Sequence, residues 1–281
     1  MALEYYSAGN EFLFYQPLFK TGTTDFEQIM VYTPFQMRFY HFYMPSIYLE
    51  NTDFNCVPDG CVDMIFIYNE DDYMVELVGS TVARKILTPY PGYNYFGLRL
   101  KPGMFVMLDD VSLAEATNSE ILYTSRDIDI DFFIQKLSTL TKLQDKIDLF
   151  LEEFTVSLTD NFITEPVRNI ISEINRSKGT ITVTELANKL CYSERQIRRL
   201  LDSQLSINPK MLCRIVRFQY ALHNMITGPS QDILKYIEGL SYSDQSHFNN
   251  EFKEFTGLSP REFVATFHNQ SVKPLLRKRI R

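Results

Sequence analysis

The stretch "LANKLCYSERQIRRLL", residues 186–201, has an echo fifty residues later in "YIEGLSYSDQSHFNNEF", residues 236–252. In each, an apolar segment runs into a short turn carrying Tyr-Ser and then into a polar segment with apolar residues three and four apart. Leu190 matches Leu240, Tyr192 matches Tyr242 and Ser193 matches Ser243. Two helices joined by a turn of three or four residues make a helix-turn-helix, whose second helix enters the major groove of a duplex. The spacing therefore predicts two such units.

The side chains of the two second helices divide by face. In the first, Ser193 suits the N-cap and Ile197, Leu200 and Leu201 face inward, leaving Arg195, Gln196, Arg198 and Arg199 outside. In the second, Phe248, Phe252 and Phe255 take the core side, while Gln245, Ser246, Asn249 and Asn250 point away. His247 is read either as a phosphate contact or as a capping residue. Arginine pairs in bidentate fashion with guanine or phosphate and Asn or Gln with adenine, each good base pairing being worth roughly 1–3 kcal/mol of discrimination. Between the units lies "INPKMLCRIVRFQYALHNMITG", residues 207–228, where Asn208 can cap, Pro209 suits the first helical position and an apolar face follows. A helix over 210–227 would be about 27 Å long, close to the roughly 34 Å repeat of DNA. It is long enough to present two reading helices to successive major grooves.

A formal charge of −7 over 281 residues weighs against a nucleic-acid partner, but the halves differ. Residues 1–164 hold 10 Lys+Arg against 24 Asp+Glu, a balance of −14; residues 165–281 hold 18 against 11, a balance of +7. A basic module that meets a polyanion is joined to an acidic one with another task. Apolar runs such as "MIFIY", residues 64–68, are far below the roughly 20 residues of a membrane span, so no membrane partner and a cytoplasmic location are expected. Four cysteines without a two-residue gap imply reduced thiols.

Up to residue 125 the chain alternates Tyr-, Phe-, Val- and Ile-rich runs with turn formers, which predicts a β-sandwich or barrel. Residues 126–160 then show helical spacing, a helical bridge, and everything after "TDNFITEP" reads as helix. The expected fold class is α+β in two domains: a β-rich unit over 1–125 with its bridge, and an all-α double helix-turn-helix over 165–268 with a long linker helix, followed by a basic tail at 269–281. The lack of a Gly/Ser-rich linker predicts a packed joint.

Residues 165–268 resemble the AraC/XylS family of bacterial transcription regulators, through "TELANKLCYSERQIRRL", "INPKMLCRIVRFQYAL" and "YSDQSHFNNEFKEFTGLSPREF" in order and spacing. The resemblance implies double-stranded DNA as partner, with Arg195, Arg198 and Arg199 serving the first reading helix and Gln245, Ser246, Asn249 and Asn250 the second. The chain departs from the pattern at Cys191, Ser206 and Ser241, where the family has Gly, at Ile237, where it has a small Ala, and at Asn250, where Arg is common. "VPDGCVDMIFIY", "LVGSTV" and "YFGLRLKPGMFVML" are similar to the β-rich sensor-like domain of one subgroup. Control by a small-molecule effector or by homodimerisation would lie there, and an activator would also meet RNA polymerase. No enzyme activity, cofactor, metal or catalytic set is expected.

Two enzyme readings compete. An alkylation-repair methyl acceptor would need a reactive cysteine, for which Cys56 and Cys61 are the candidates in the acidic half, and a metal-dependent β-barrel enzyme would need His41, Asp59 and Asp63. The residues "PDGCVD", 58–63, read more simply as a hairpin turn leading into a strand, with Arg99 as the partner that a buried Asp63 requires.

Overall fold

The computed structural model describes residues 3–4, 16, 25–33, 38–46, 54–103, 113–122, 129–154, 163–227, 233–268 and 276–280. Aromatic and β-branched runs form β2 (Asp25–Thr33), β3 (Arg38–Ser46), β5 (Val62–Tyr68), β6 (Tyr73–Val78) and β8 (Asn94–Leu100), as expected for side chains that fit a pleated, half-buried surface. With β1 (Leu3–Glu4), β9 (Glu120–Leu122) and β10 (Leu276–Ile280) they make an eight-stranded sheet in the order β1-β10-β2-β3-β8-β5-β6-β9. β4 (Phe54–Cys56) and β7 (Lys85–Leu87) pair as a separate ribbon.

All of β5 is buried because both faces of the sheet are covered there. On one face Phe42, Phe66 and Phe96 meet Phe133 of α2 (Ile130–Thr139) and Phe150 and Phe154 of α3 (Leu143–Phe154). Their ring centroids lie 4.5 to 6.4 Å apart, mostly edge-on, a geometry worth about 0.5–1.5 kcal/mol per pair beyond burial. The helices expected as a bridge thus roof the sheet. A β-rich half followed by a helical half is what the sequence predicts, but no barrel closes among the described strands, since β1 and β9 remain edges.

Two local expectations are corrected. Residues 58–63 are not the tip of a hairpin: β4 pairs with β7 while β5 pairs with β6 and β8, so Pro58-Asp59-Gly60 crosses from one sheet to the other. Within the expected basic tail, Leu276–Ile280 form β10, between β1 and β2. Its pairing with β2 is parallel and so needs a long crossover, here the rest of the sheet together with the whole helical half. Pairing across such a separation leaves no local signal.

Asp63 and Arg99 stand opposite each other on β5 and β8. Arg99 donates from Nε to both Asp63 oxygens at 3.0 and 3.3 Å and from Nη2 at 3.1 Å, and its Nη1 lies 3.5 Å from Asp59. Burial pushes the Asp63 carboxyl up, and the guanidinium opposes it. Asp59, Asp63 and Arg99 line a cavity of about 20 Å³, room for about one water. The carboxylates of the metal-enzyme reading are thus held by an arginine; the His41 side chain lies outside the described residues. Cys56 and Cys61 are buried, and burial pushes both thiols up, away from the thiolate a methyl acceptor needs.

The joint is packed, as expected. One apolar core runs from the sheet into the helical half. Thr117, just after α1 (Leu113–Ala116), donates to the carbonyl of Leu205 at 2.7 Å, and the buried amide of Gln219 donates to that of Pro58 at 2.9 Å.

Lys146 of α3 is buried between the helical roof and the sheet, where Nζ donates to the Tyr68 hydroxyl at 2.6 Å and the Leu137 carbonyl at 2.9 Å. Burial lowers it to about 8 from an ordinary 10.5. The unfolded chain then holds this proton more tightly than the folded one, so stability rises as pH climbs from about 8 toward 10. The thermal midpoint should rise over that window and Lys146→Met should flatten the rise; an unaltered slope would assign the titration to another group.

Candidate nucleic-acid interface

The helical half starts with α4 (Glu165–Arg176) and α5 (Val183–Leu190). Between them Gly179 presses onto the linker helix: at φ +70° an added Cβ would lie 2.2 Å from the Cys213 carbonyl oxygen, so only glycine fits. α5 begins with a capping box in which Thr182 and Glu185 satisfy each other's backbone amides. The turn Cys191–Ser193 leads into α6 (Glu194–Leu205), which opens with a second box made by Ser193 and Gln196. Thr184 of α5 donates to Glu194 at 2.6 Å, tying the first turn of α6 to the helix before it.

The linker helix α7 runs from Pro209 to Thr227, about 28 Å at 1.5 Å per residue. Asn208 caps it, accepting from the Met211 amide at 2.8 Å. Leu212, Cys213 and Val216 join the core shared with the sheet and the first unit, whereas Phe218, Ala221, Leu222 and Met225 join a second core with Phe248, Phe252, Phe255 and Phe263. α8 (Ile233–Ile237), α9 (Gln245–Thr256) and α10 (Pro260–His268) complete the second unit. Ile237, where the family has Ala, packs against this core. The cap of α9 is Asp244, whose carboxylate accepts the His247 amide at 2.7 Å and is held below its ordinary range chiefly by that bond.

The predicted contact residues gather in the first two turns of α6 and α9. Arg195, Gln196, Arg198 and Arg199 are exposed, as are Gln245, Ser246, His247 and Asn250. Arg195 and Arg199 make no ion pair or hydrogen bond among the described residues, whereas Arg198 pairs with Glu194 at 2.6 Å and Gln196 is engaged at the cap. The His247 ring lies against Tyr242, its Nδ1 3.2 Å from the Ser243 hydroxyl, an arrangement at the cap. Asn249 differs from expectation: it is half-buried, and its amide oxygen is buried without a partner among the described residues. The acidic half touches these helices at the other end, at Leu205 and, through Arg84, beside Gly257.

Residues 186–266 match the helix-turn-helix domain family, and residues 36–122 match a domain of unknown function (DUF6597). The helical half holds an AraC-type helix-turn-helix domain. Over 82 residues the chain is 28% identical to the HTH-type transcriptional regulator ArgR of Pseudomonas aeruginosa; the match takes in 29% of this chain and 25% of that protein, so it spans about a quarter of the relative's length. Among solved structures, the C-terminal domain of AraT, a response regulator from Geobacillus stearothermophilus, is similar over 40% of this chain and 90% of that one, at 22% identity and a TM-score of 0.35. ToxT from Vibrio cholerae O395 is similar over 88% and 98%, at 10% identity and a TM-score of 0.43. No helix among the described residues is long and apolar enough to cross a membrane.

In the AraC-type domain the three departures from glycine keep the left-handed backbone. Cys191, Ser206 and Ser241 have φ of 58°, 49° and 53°, a conformation that costs a side-chain-bearing residue roughly 1–2 kcal/mol. Glycine also loosens the unfolded chain, so Cys191→Gly, Ser206→Gly and Ser241→Gly should each raise stability by a net of about 0.5–1 kcal/mol in urea unfolding. A loss of stability in all three would show that the side chains earn their place by contacts.

Proposed function

We propose that the protein is a sequence-specific DNA-binding transcription regulator that reads two successive major grooves with α6 and α9. The observation that carries this reading is the pair of exposed polar faces, Arg195, Arg198 and Arg199 on one helix and Gln245, Ser246, His247 and Asn250 on the other, joined by one stiff helix. Arg195 and Arg199 take phosphate or guanine, and the amides of Gln245 and Asn250 take adenine edges. Asn249 contributes after a rotation that frees its buried oxygen. Attachment of the acidic half at Leu205 and beside Gly257, the far ends of the reading helices, supports the same reading, because a half of net negative charge is repelled by a duplex.

The packed joint supports control of the AraC-type domain by the N-terminal half, through effector binding or homodimerisation. Cytoplasmic double-stranded DNA is the proposed partner, with RNA polymerase as a second partner if the protein activates transcription. Selection of DNA fragments by the full chain at physiological salt should enrich two short motifs about one helical turn apart; enrichment of nothing above random DNA by folded protein would overturn the reading. On the selected site, Arg195→Ala and Arg199→Ala should each lower the salt slope by about 1 if the contact is to phosphate. Gln245→Ala should relax base preference at one position, by up to the roughly tenfold that 1.4 kcal/mol represents. Equal loss on every sequence would make Gln245 a backbone contact.

A further inference from the structure

Glu251 sits on α9 beside the reading residues, and a glutamate there reads as another solvated side chain of a polar helix. It is 4% exposed. Its carboxylate accepts from Arg214 Nε at 2.8 Å, from Arg217 Nη2 at 2.9 and 3.2 Å, and from the Tyr242 hydroxyl at 2.8 Å. Arg214 reaches one turn further along α9 with Nη2, 2.7 Å from Glu254. The Arg214 guanidinium lies 4.9 Å from the Phe255 ring centroid and that of Arg217 4.5 Å from Tyr242, so the cations are held from their faces as well as their edges. Two arginines three residues apart on the linker helix thus grip two carboxylates three residues apart on the second reading helix. The turn residue Tyr242 closes the cluster.

Among the described residues the first reading helix has no such cluster: the buried residues of α6 are Ile197, Leu201 and Leu205, all apolar, and the Glu194–Arg198 pair within it lies at the surface. Phe248, Phe252 and Phe255 already bury α9 against α7. Apolar rings tolerate a small slide or rotation, because dispersion and burial carry little direction. A carboxylate with three directed donors does not. A buried ionic cluster gives little net stability over well-packed apolar residues of the same volume, but it does require one geometry.

We propose that Glu251 is a positioning residue: through Arg214, Arg217 and Tyr242 it fixes the setting of α9 on the linker helix, and so selects the spacing between the two DNA half-sites that the protein accepts. This rests on the DNA-binding reading given above.

The test uses the full chain and a series of duplexes in which the two selected motifs are moved apart or together one base pair at a time. The wild type should prefer one spacing over its one-base-pair neighbours by about tenfold, equivalent to 1.4 kcal/mol. The triple substitution Arg214→Met, Arg217→Met, Glu251→Leu removes the cluster without leaving a buried charge unpaired. It should fold with a thermal midpoint at or above that of the wild type, still bind the motif read by α6, and show a spacing preference reduced to about threefold or less. Glu251→Gln keeps the shape and a weaker set of hydrogen bonds, should give an intermediate preference, and decides the matter if the triple variant does not fold. Unchanged spacing preference in a folded variant would overturn this inference alone. Failure of the wild type to select any motif would overturn the DNA-binding reading and this inference with it.

Discussion

The linker helix must be buried on two sides at once, and much of the architecture follows from that. Leu212, Cys213 and Val216 belong to the core shared with the sheet and the first unit, and Phe218, Leu222 and Met225 to the core of the second. A helix exposed on one side satisfies its neighbours with an apolar stripe. Only a half-buried stripe of this one is left over, so several of its polar residues take partners within the protein: Gln219 bonds across the joint to Pro58, while Arg214 and Arg217 turn to Glu251. Gly179 is needed for the same reason, since the chain before α5 passes too close to α7 for a side chain.

The acidic half solves a related problem with different means. Its sheet buries β5 on both faces, and the few charges that go inside are matched: Arg99 with Asp63 and Asp59, Lys146 with oxygens of Tyr68 and Leu137. An unpaired buried charge would be far more costly than any single core residue is stabilising. The crossing at residues 57–60 then links this half to the other, since Val57 packs into the core of the second unit and Pro58 accepts from Gln219. Displacement of that crossing would be felt by the helix that carries both reading heads.

Much of the candidate interface was legible residue by residue, because capping and helical periodicity are local. Ser193 and Asn208 cap where their sequence contexts indicate, and Phe248, Phe252 and Phe255 face inward at the expected spacing. What periodicity could not show is competition for an outward-facing side chain. Gln196 is drawn back to the cap, Arg198 to Glu194, and Asn249 partly inward, so the outer face is less uniform than a helical wheel implies. The turns at Cys191, Ser206 and Ser241 hold left-handed geometry without glycine, a local strain that persists only where the surrounding packing offsets it.

The sequence by itself determined the succession of a β-rich and a helical half, the two helix-turn-helix units and the division of charge, all of which rest on short-range pattern, and it named Arg99 as a candidate partner for Asp63 from the cost of an isolated charge. Tertiary structure decided what joins residues far apart in the chain: the helical roof over the sheet, β10 between β1 and β2, the ribbon of β4 with β7, and the burial of Glu251. The physical reason is that strand partners and buried ionic clusters are chosen by what packs beside them, and a glutamate on a polar helix face carries no local mark of the two arginines that will enclose it.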